Sequence, residues 1–65
     1  MKTYEVIARR VNDRGISVAE LARRIGMNSE LLRRCLVGER KIVSDELIAL
    51  CIELELDIPD FVSAA

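Results

Sequence analysis

Histidine and tryptophan are missing from this 65-residue chain, and its only aromatic residues are Tyr4 and Phe61. Without histidine there is no imidazole base, and the sequence offers neither a Gly-rich phosphate loop nor a thiol beside a base. Glu53 and Glu55 do not replace them as paired carboxylates, because residues two apart on a helix diverge. Catalysis is therefore not expected. Two aromatics do not make a stacking platform for single-stranded nucleic acid. Cysteine is also scarce: Cys35 and Cys51 have no neighbour at metal-ligand spacing, so no metal or cofactor is expected. Both fall on apolar helical faces, where a reduced cysteine acts as a small hydrophobe.

Long apolar runs are absent too. None approaches the roughly 18 residues needed to span a bilayer, and Met1–Glu5 lacks the apolar stretch of a signal peptide. A cytoplasmic protein without a membrane contact is expected. The length implies one domain over residues 1–65 that buries only about 60% of the surface its unfolded chain exposes. Several short helices fit that size; a deep ligand cleft does not, and no small-molecule ligand is expected.

The net charge of −1 conceals a strong asymmetry. All ten basic residues lie in 1–41, together with five acids, for a net of +5. Residues 42–65 carry six acids and no base. A surface polarised in this way can meet phosphates on one side while the acidic side faces away.

Punctuation divides the chain into five helices, with no strand signal and no repeat. The first is expected over Thr3 to Arg14, with Tyr4, Ile7, Ala8 and Val11 on one face and Gly15 as the stop. Ser17 to Glu20 reads as a capping box, flanked by an Ile16–Leu21 staple, so helix 2 runs from Val18 to Ile25 and Gly26 closes it. Asn28 caps helix 3, Met27 and Leu32 staple it, and it ends near Val37, before Gly38. Ser44 is the expected cap of helix 4, Val43 and Ile48 its staple, and Leu47, Leu50, Cys51 and Leu54 its apolar stripe. Asp57 with Asp60 caps a short fifth helix, with Leu56 and Phe61 as the last staple.

The segment Val18 to Gly38 carries the most information. Leu21, Ala22 and Ile25 cover one face of helix 2, and Leu32, Cys35 and Leu36 cover one face of helix 3. Gly26 supplies the tight turn between them, and Ala22 is small where the helices must approach. Two short helices joined by a turn of three to four residues make a helix-turn-helix.

On these residues the chain resembles the phage-repressor and Cro-type helix-turn-helix family, from helix 1 through the closing Leu56-Asp57-Ile58-Pro59-Asp60-Phe61 turn. The resemblance rests on the Ala22 and Gly26 pair, the Gly26-to-Gly38 spacing and the apolar positions between them. It implies an all-α, compact, lambda-repressor-like domain of five helices whose helix-turn-helix is helices 2 and 3. It also implies sequence-specific binding of double-stranded DNA with helix 3 in the major groove, as expected of a transcriptional regulator or repressor.

The family's base-reading positions fall on Ser29, Glu30 and Arg34, with Arg33 adjacent. At about 100° per residue, Glu30, Arg34 and Val37 point away from the Leu32–Cys35–Leu36 face. Arginine can donate two bonds to guanine, glutamate can accept from cytosine, and Leu31 could meet a thymine methyl. Glu30 and Arg34 are also spaced to pair with each other. Ser17, Asn28, Arg40 and Lys41 are the candidate phosphate contacts, with Arg9, Arg10 and Arg14 within reach of the flanking backbone. Val18 stands where many family members carry a phosphate-gripping glutamine, which leaves that contact to Ser17 and the helix amides.

Family members of this size often bind as two-fold dimers, and Ile58, Phe61 and Val62 are the expected homodimer surface. The alternative function is a protein-protein interaction module that keeps the fold without specific DNA binding, which the near-neutral charge, Val18 and Val37 would suit.

Overall fold

The computed structural model describes residues 1–63. The last two positions of the expected 1–65 unit lie outside them. Five α-helices follow one another: α1 Thr3–Arg14, α2 Val18–Ile25, α3 Ser29–Leu36, α4 Ser44–Leu54 and α5 Ile58–Ser63. No strand occurs among the described residues. The all-helical, five-helix expectation therefore holds, and the boundaries of α1, α2 and α3 lie within a residue of those read from caps and glycines.

One core joins the helices. Val6, Ile7 and Val11 of α1 meet Leu21 and Ala22 of α2, Leu32 and Leu36 of α3, Leu50 and Leu54 of α4, and Leu56. Ile7, Leu21, Leu32, Cys35, Leu50 and Leu54 are completely buried. Tyr4 and Ala8, expected on the inner face of α1, are half-buried, and Val6 takes the buried place beside Ile7. Periodicity alone did not separate Val6 from its neighbours.

Local chemistry sets the helix ends. Gly15, Gly26 and Gly38 all adopt left-handed backbone, with φ of 67°, 74° and 84°. Ser17 accepts from the Glu20 amide at 3.1 Å, which is half of the expected capping box. The other half does not form, because the Glu20 carboxylate turns to the Arg23 guanidinium. Asn28 caps α3 as expected, its Oδ1 accepting from the amides of Glu30 at 2.9 Å and Leu31 at 3.2 Å.

The start of α4 differs from expectation. Val43, not Ser44, is the N-cap, and the Glu46 carboxylate accepts the Val43 amide at 3.2 Å. Ser44 is already helical, so its hydroxyl caps nothing. Val43 and Ile48 both face solvent and form no buried staple. At the far end of α4, Glu55 takes the left-handed conformation without being glycine, at φ 55°. At α5 it is the Asp60 carboxylate that accepts the Asp57 amide, at 2.7 Å.

Candidate nucleic-acid interface

The helix-turn-helix is built from α2 and α3, separated by three residues, Gly26 to Asn28. Met27 donates its amide back to the Ala22 carbonyl at 2.8 Å, which ties the turn to α2. Ala22 is buried to the backbone, and a larger side chain there would push the two helices apart. Leu32, Cys35 and Leu36 anchor the inner face of α3. The outer face is thereby committed to solvent.

That outer face carries all four expected base-reading residues. Ser29, Glu30, Arg33 and Arg34 are exposed, as are Leu31 and Val37. Glu30, Arg33 and Arg34 form one cluster. The Glu30 carboxylate receives a two-pronged contact from Arg33, Nε at 3.1 Å and Nη2 at 2.8 Å. Arg34 adds a single longer contact, Nε to Oε2 at 3.4 Å. These arginines, Arg33 foremost, hold the Glu30 carboxyl at about 2, well below the usual carboxylate range. The Arg33 guanidinium is correspondingly raised. Glu30 is thus an anion held between two cations, and Arg34 is the less committed of the pair.

The expected phosphate contacts have two different surroundings. Ser17 and Asn28 are exposed caps whose oxygens accept helix amides. The Ser17 hydroxyl proton and the Asn28 Nδ2 amide have no partner among the described residues. Lys41 is exposed, and its ammonium has no acid partner among the described residues. Arg40, beside it, is turned into the fold: its Nη1 donates to Glu46 Oε1 at 2.8 Å and to the Cys35 sulfur at 3.1 Å. Glu46 and, more weakly, Cys35 raise the Arg40 guanidinium.

The charge asymmetry of the sequence is largely quenched in space. Arg10 pairs with Asp60, Arg14 with Glu55, Arg24 with Glu53 and Arg40 with Glu46. Four arginines of the basic stretch therefore clamp the acidic α4 and α5 onto the rest of the molecule. Arg10 and Arg14, expected to reach flanking DNA, are used in this way. No local sequence signal marks such pairs, because their partners lie 41 to 50 residues away for α1.

A second surface feature lies on α4 and α5. Ile52 and Ile58 are 74% and 76% exposed, and Ile48 and Val62 accompany them. Ile48, Ile52 and Ile58 border a groove of about 320 Å³ lined by Leu47, Cys51, Leu56, Asp57 and Phe61. Phe61, expected on the surface, is half-buried in that groove. Burial, with help from Asp57 and Asp60, pushes the Cys51 thiol up, so it is a poor nucleophile. Among the described residues no group of three or more potential ligands is placed to hold a metal. None of the helices there is long and apolar enough to cross a membrane.

Comparison with known families adds one finding. The profile of the Cro/C1-type HTH DNA-binding domain matches residues 6–64. No curated protein and no solved structure gives a significant match.

Proposed function

The chain belongs to the Cro/C1-type helix-turn-helix DNA-binding family, and from that membership we propose that α3 enters the major groove and reads a specific duplex sequence. The observation that carries this reading is the outer face of α3, where Glu30, Arg33 and Arg34 form one exposed cluster, with Ser29 exposed on the same helix, which is locked by its apolar side. Arg34 is the leading guanine reader, since only one 3.4 Å contact restrains it. A bidentate arginine–guanine pair is worth about 1–3 kcal/mol of discrimination. An exposed ion pair contributes less than that, so Glu30 can orient the arginines without withholding them.

Ser17, Asn28 and the Arg40–Lys41 loop serve the flanking phosphates. Ser17 and the first amides of α2 take up a phosphate where Val18 offers no polar group. Neutralising about five phosphates gives a log–log salt slope near −4 to −5. The protein then acts in the cytoplasm as a transcriptional regulator that represses by occupying a promoter. Two copies joined through Ile58, Phe61 and Val62 would place recognition helices about 34 Å apart on paired half-sites.

One observation favours a different reading, an interaction module without specific DNA binding: among the described residues seven of the eight arginines pair with acids of the same chain, four of them with acids of the α4–α5 part. Selection from a pool of random-core duplexes separates the two. Specific recognition is expected to enrich a short motif whose guanine positions relax in Arg34→Ala and, more weakly, in Arg33→Ala. No enrichment at low salt by folded protein would overturn the DNA reading in favour of the module.

A further inference from the structure

Between α3 and α4 the chain crosses a loop, residues 37–43, whose start is tied to α3 by the Gly38 and Glu39 amides and whose Ile42 packs against the core. A cavity of about 340 Å³ lies beside it, with Tyr4, Gly38, Arg40, Lys41, Ile42 and Leu47 in its wall. Two further contacts hold the loop between these points. At its start the Tyr4 ring lies directly on Gly38, so close that a Cβ there would fall 2.7 Å from Tyr4 Cζ. In its middle one guanidinium nitrogen, Nη1 of Arg40, meets Glu46 Oε1 at 2.8 Å, Cys35 Sγ at 3.1 Å and the Lys41 carbonyl at 3.5 Å. The same carboxylate oxygen of Glu46 takes the Val43 amide that begins α4. One ion pair thus joins the inner face of α3, the loop and the first turn of α4. The Arg40 and Glu46 side chains are only 30% and 18% exposed, so water screens this pair less than the pairs on α3.

We propose that Arg40 and Glu46 are a positioning pair for DNA binding: they fix the α3–α4 loop so that the neighbouring Lys41 meets a backbone phosphate, and Arg40 makes no phosphate contact of its own. This rests on the DNA reading above and divides the labour between two adjacent cations. It also carries an unusual sign. Removing an acid from a DNA-binding protein ordinarily strengthens binding, because repulsion of the phosphates falls. Removing Glu46 should weaken it, because the loop loses its brace.

The test is a double-mutant cycle on duplex DNA, using the motif recovered by selection, titrated at several salt concentrations with folding checked by thermal melting. Glu46→Gln and Arg40→Gln are each expected to weaken binding about threefold to tenfold, and the double variant no more than the worse single one. Arg40→Lys, which keeps the charge but is one bond shorter, does not bring its ammonium to the position of Nη1 and should also weaken binding. Lys41→Ala should flatten the log–log salt slope by about 1. Unchanged or tighter binding by Glu46→Gln would overturn the proposal, as would full activity of Arg40→Lys, both of which mark Arg40 as a direct contact; Arg40→Lys also decides the matter should Glu46→Gln fail to fold. If the parent chain binds no DNA at all, the DNA reading fails and this proposal with it, a result distinguishable from either variant outcome.

Discussion

The Arg10 guanidinium, in the middle of α1, donates to the backbone carbonyl of Leu54 at 2.9 Å. Leu54 closes α4, and the last carbonyls of a helix have no partner within it. The same Nη1 also reaches the Glu55 carbonyl at 3.3 Å, and Nη2 reaches the Asp60 carboxylate at 3.4 Å. Arg10 is therefore the residue that seals the end of α4 and holds α5 beside α1.

Loss of that seal is the first prediction. Arg10→Ala leaves the partly buried Leu54 carbonyl unsatisfied, at a cost of about 1–2 kcal/mol. In a domain of this size that lowers the melting temperature by roughly 4–16 °C. The salt slope of DNA binding should not change, since Arg10 is occupied inside the fold. A slope that flattens by about 1 would instead make Arg10 a phosphate contact.

The Tyr4–Gly38 contact supports a second prediction. Alanine at Gly38 faces both a positive φ of 84° and a tyrosine ring inside contact distance, whereas at Gly26 a Cβ meets nothing within 4 Å. Gly26→Ala should cost about 1 kcal/mol from backbone strain alone. Gly38→Ala should cost about 2–3 kcal/mol, because overpacking adds to the strain. Chemical denaturation of the two variants checks the order, and equal midpoints would show that Tyr4 swings away freely.

Helix boundaries were legible wherever a glycine or a polar cap marks them, as at Gly15, Ser17, Gly26, Asn28 and Gly38. Those residues act on the backbone within a few positions, so their effect is written locally. Legibility failed at α4, where the cap is Val43 and the left-handed stop is Glu55. There the carboxylate of Glu46 and the guanidinium of Arg14 compensate for unsuitable backbone residues. The outer face of α3 was legible because helical periodicity fixes it once Leu32, Cys35 and Leu36 are known to be inside. The roles of Arg10, Arg14 and Arg24 were not, since a long-range ion pair leaves no trace in periodicity or spacing, and that of Arg40 was not because its partner Glu46 lies across a loop with no regular period.

Glu55 gives a third prediction from that misfit. Its left-handed conformation costs roughly 1–2 kcal/mol relative to glycine. Its ion pair with Arg14 is exposed and screened by water, so it returns little of that. Glu55→Gly should therefore stabilise the fold slightly, by up to about 1 kcal/mol, seen as a higher urea midpoint. A lower midpoint would mean that the Arg14 pair contributes more than an exposed pair ordinarily does.

Acid should unfold the protein through a small set of carboxylates. Arginine hydrogen bonds depress Glu20, Glu30, Glu46 and Glu55 below their ordinary values, with Glu30 at about 2. Groups depressed in the folded state contribute stability above their unfolded value, near 4.3, and lose it as pH falls through the folded value. With no histidine in the chain, nothing comparable titrates between about pH 5 and 8. The urea midpoint should stay level from pH 8 to about 5 and then fall steadily toward pH 2. A midpoint that moves between pH 6 and 7 would contradict this account.

The last prediction concerns the aliphatic face of α4 and α5. Ile48 and Ile52 stand one turn apart on α4, Ile58 and Val62 one turn apart on α5, and a groove lies between the two rows. The proposed dimer would use this patch, since ridges beside a groove suit a two-fold contact with a second copy. Glu53, Glu55 and Asp60 are already paired with arginines of their own chain, which leaves Asp57 as the acid in the groove wall without an ion pair among the described residues. Ile52→Lys with Ile58→Lys should leave the folded monomer within about 0.5 kcal/mol of the parent, since both side chains are at the surface. Sedimentation should show the parent associating as concentration rises and the double variant remaining monomeric. Selected DNA should change in step, from inverted half-sites with the parent to a single half-site with the variant. A parent that stays monomeric both free and on a two-half-site duplex would reassign this face to a different partner.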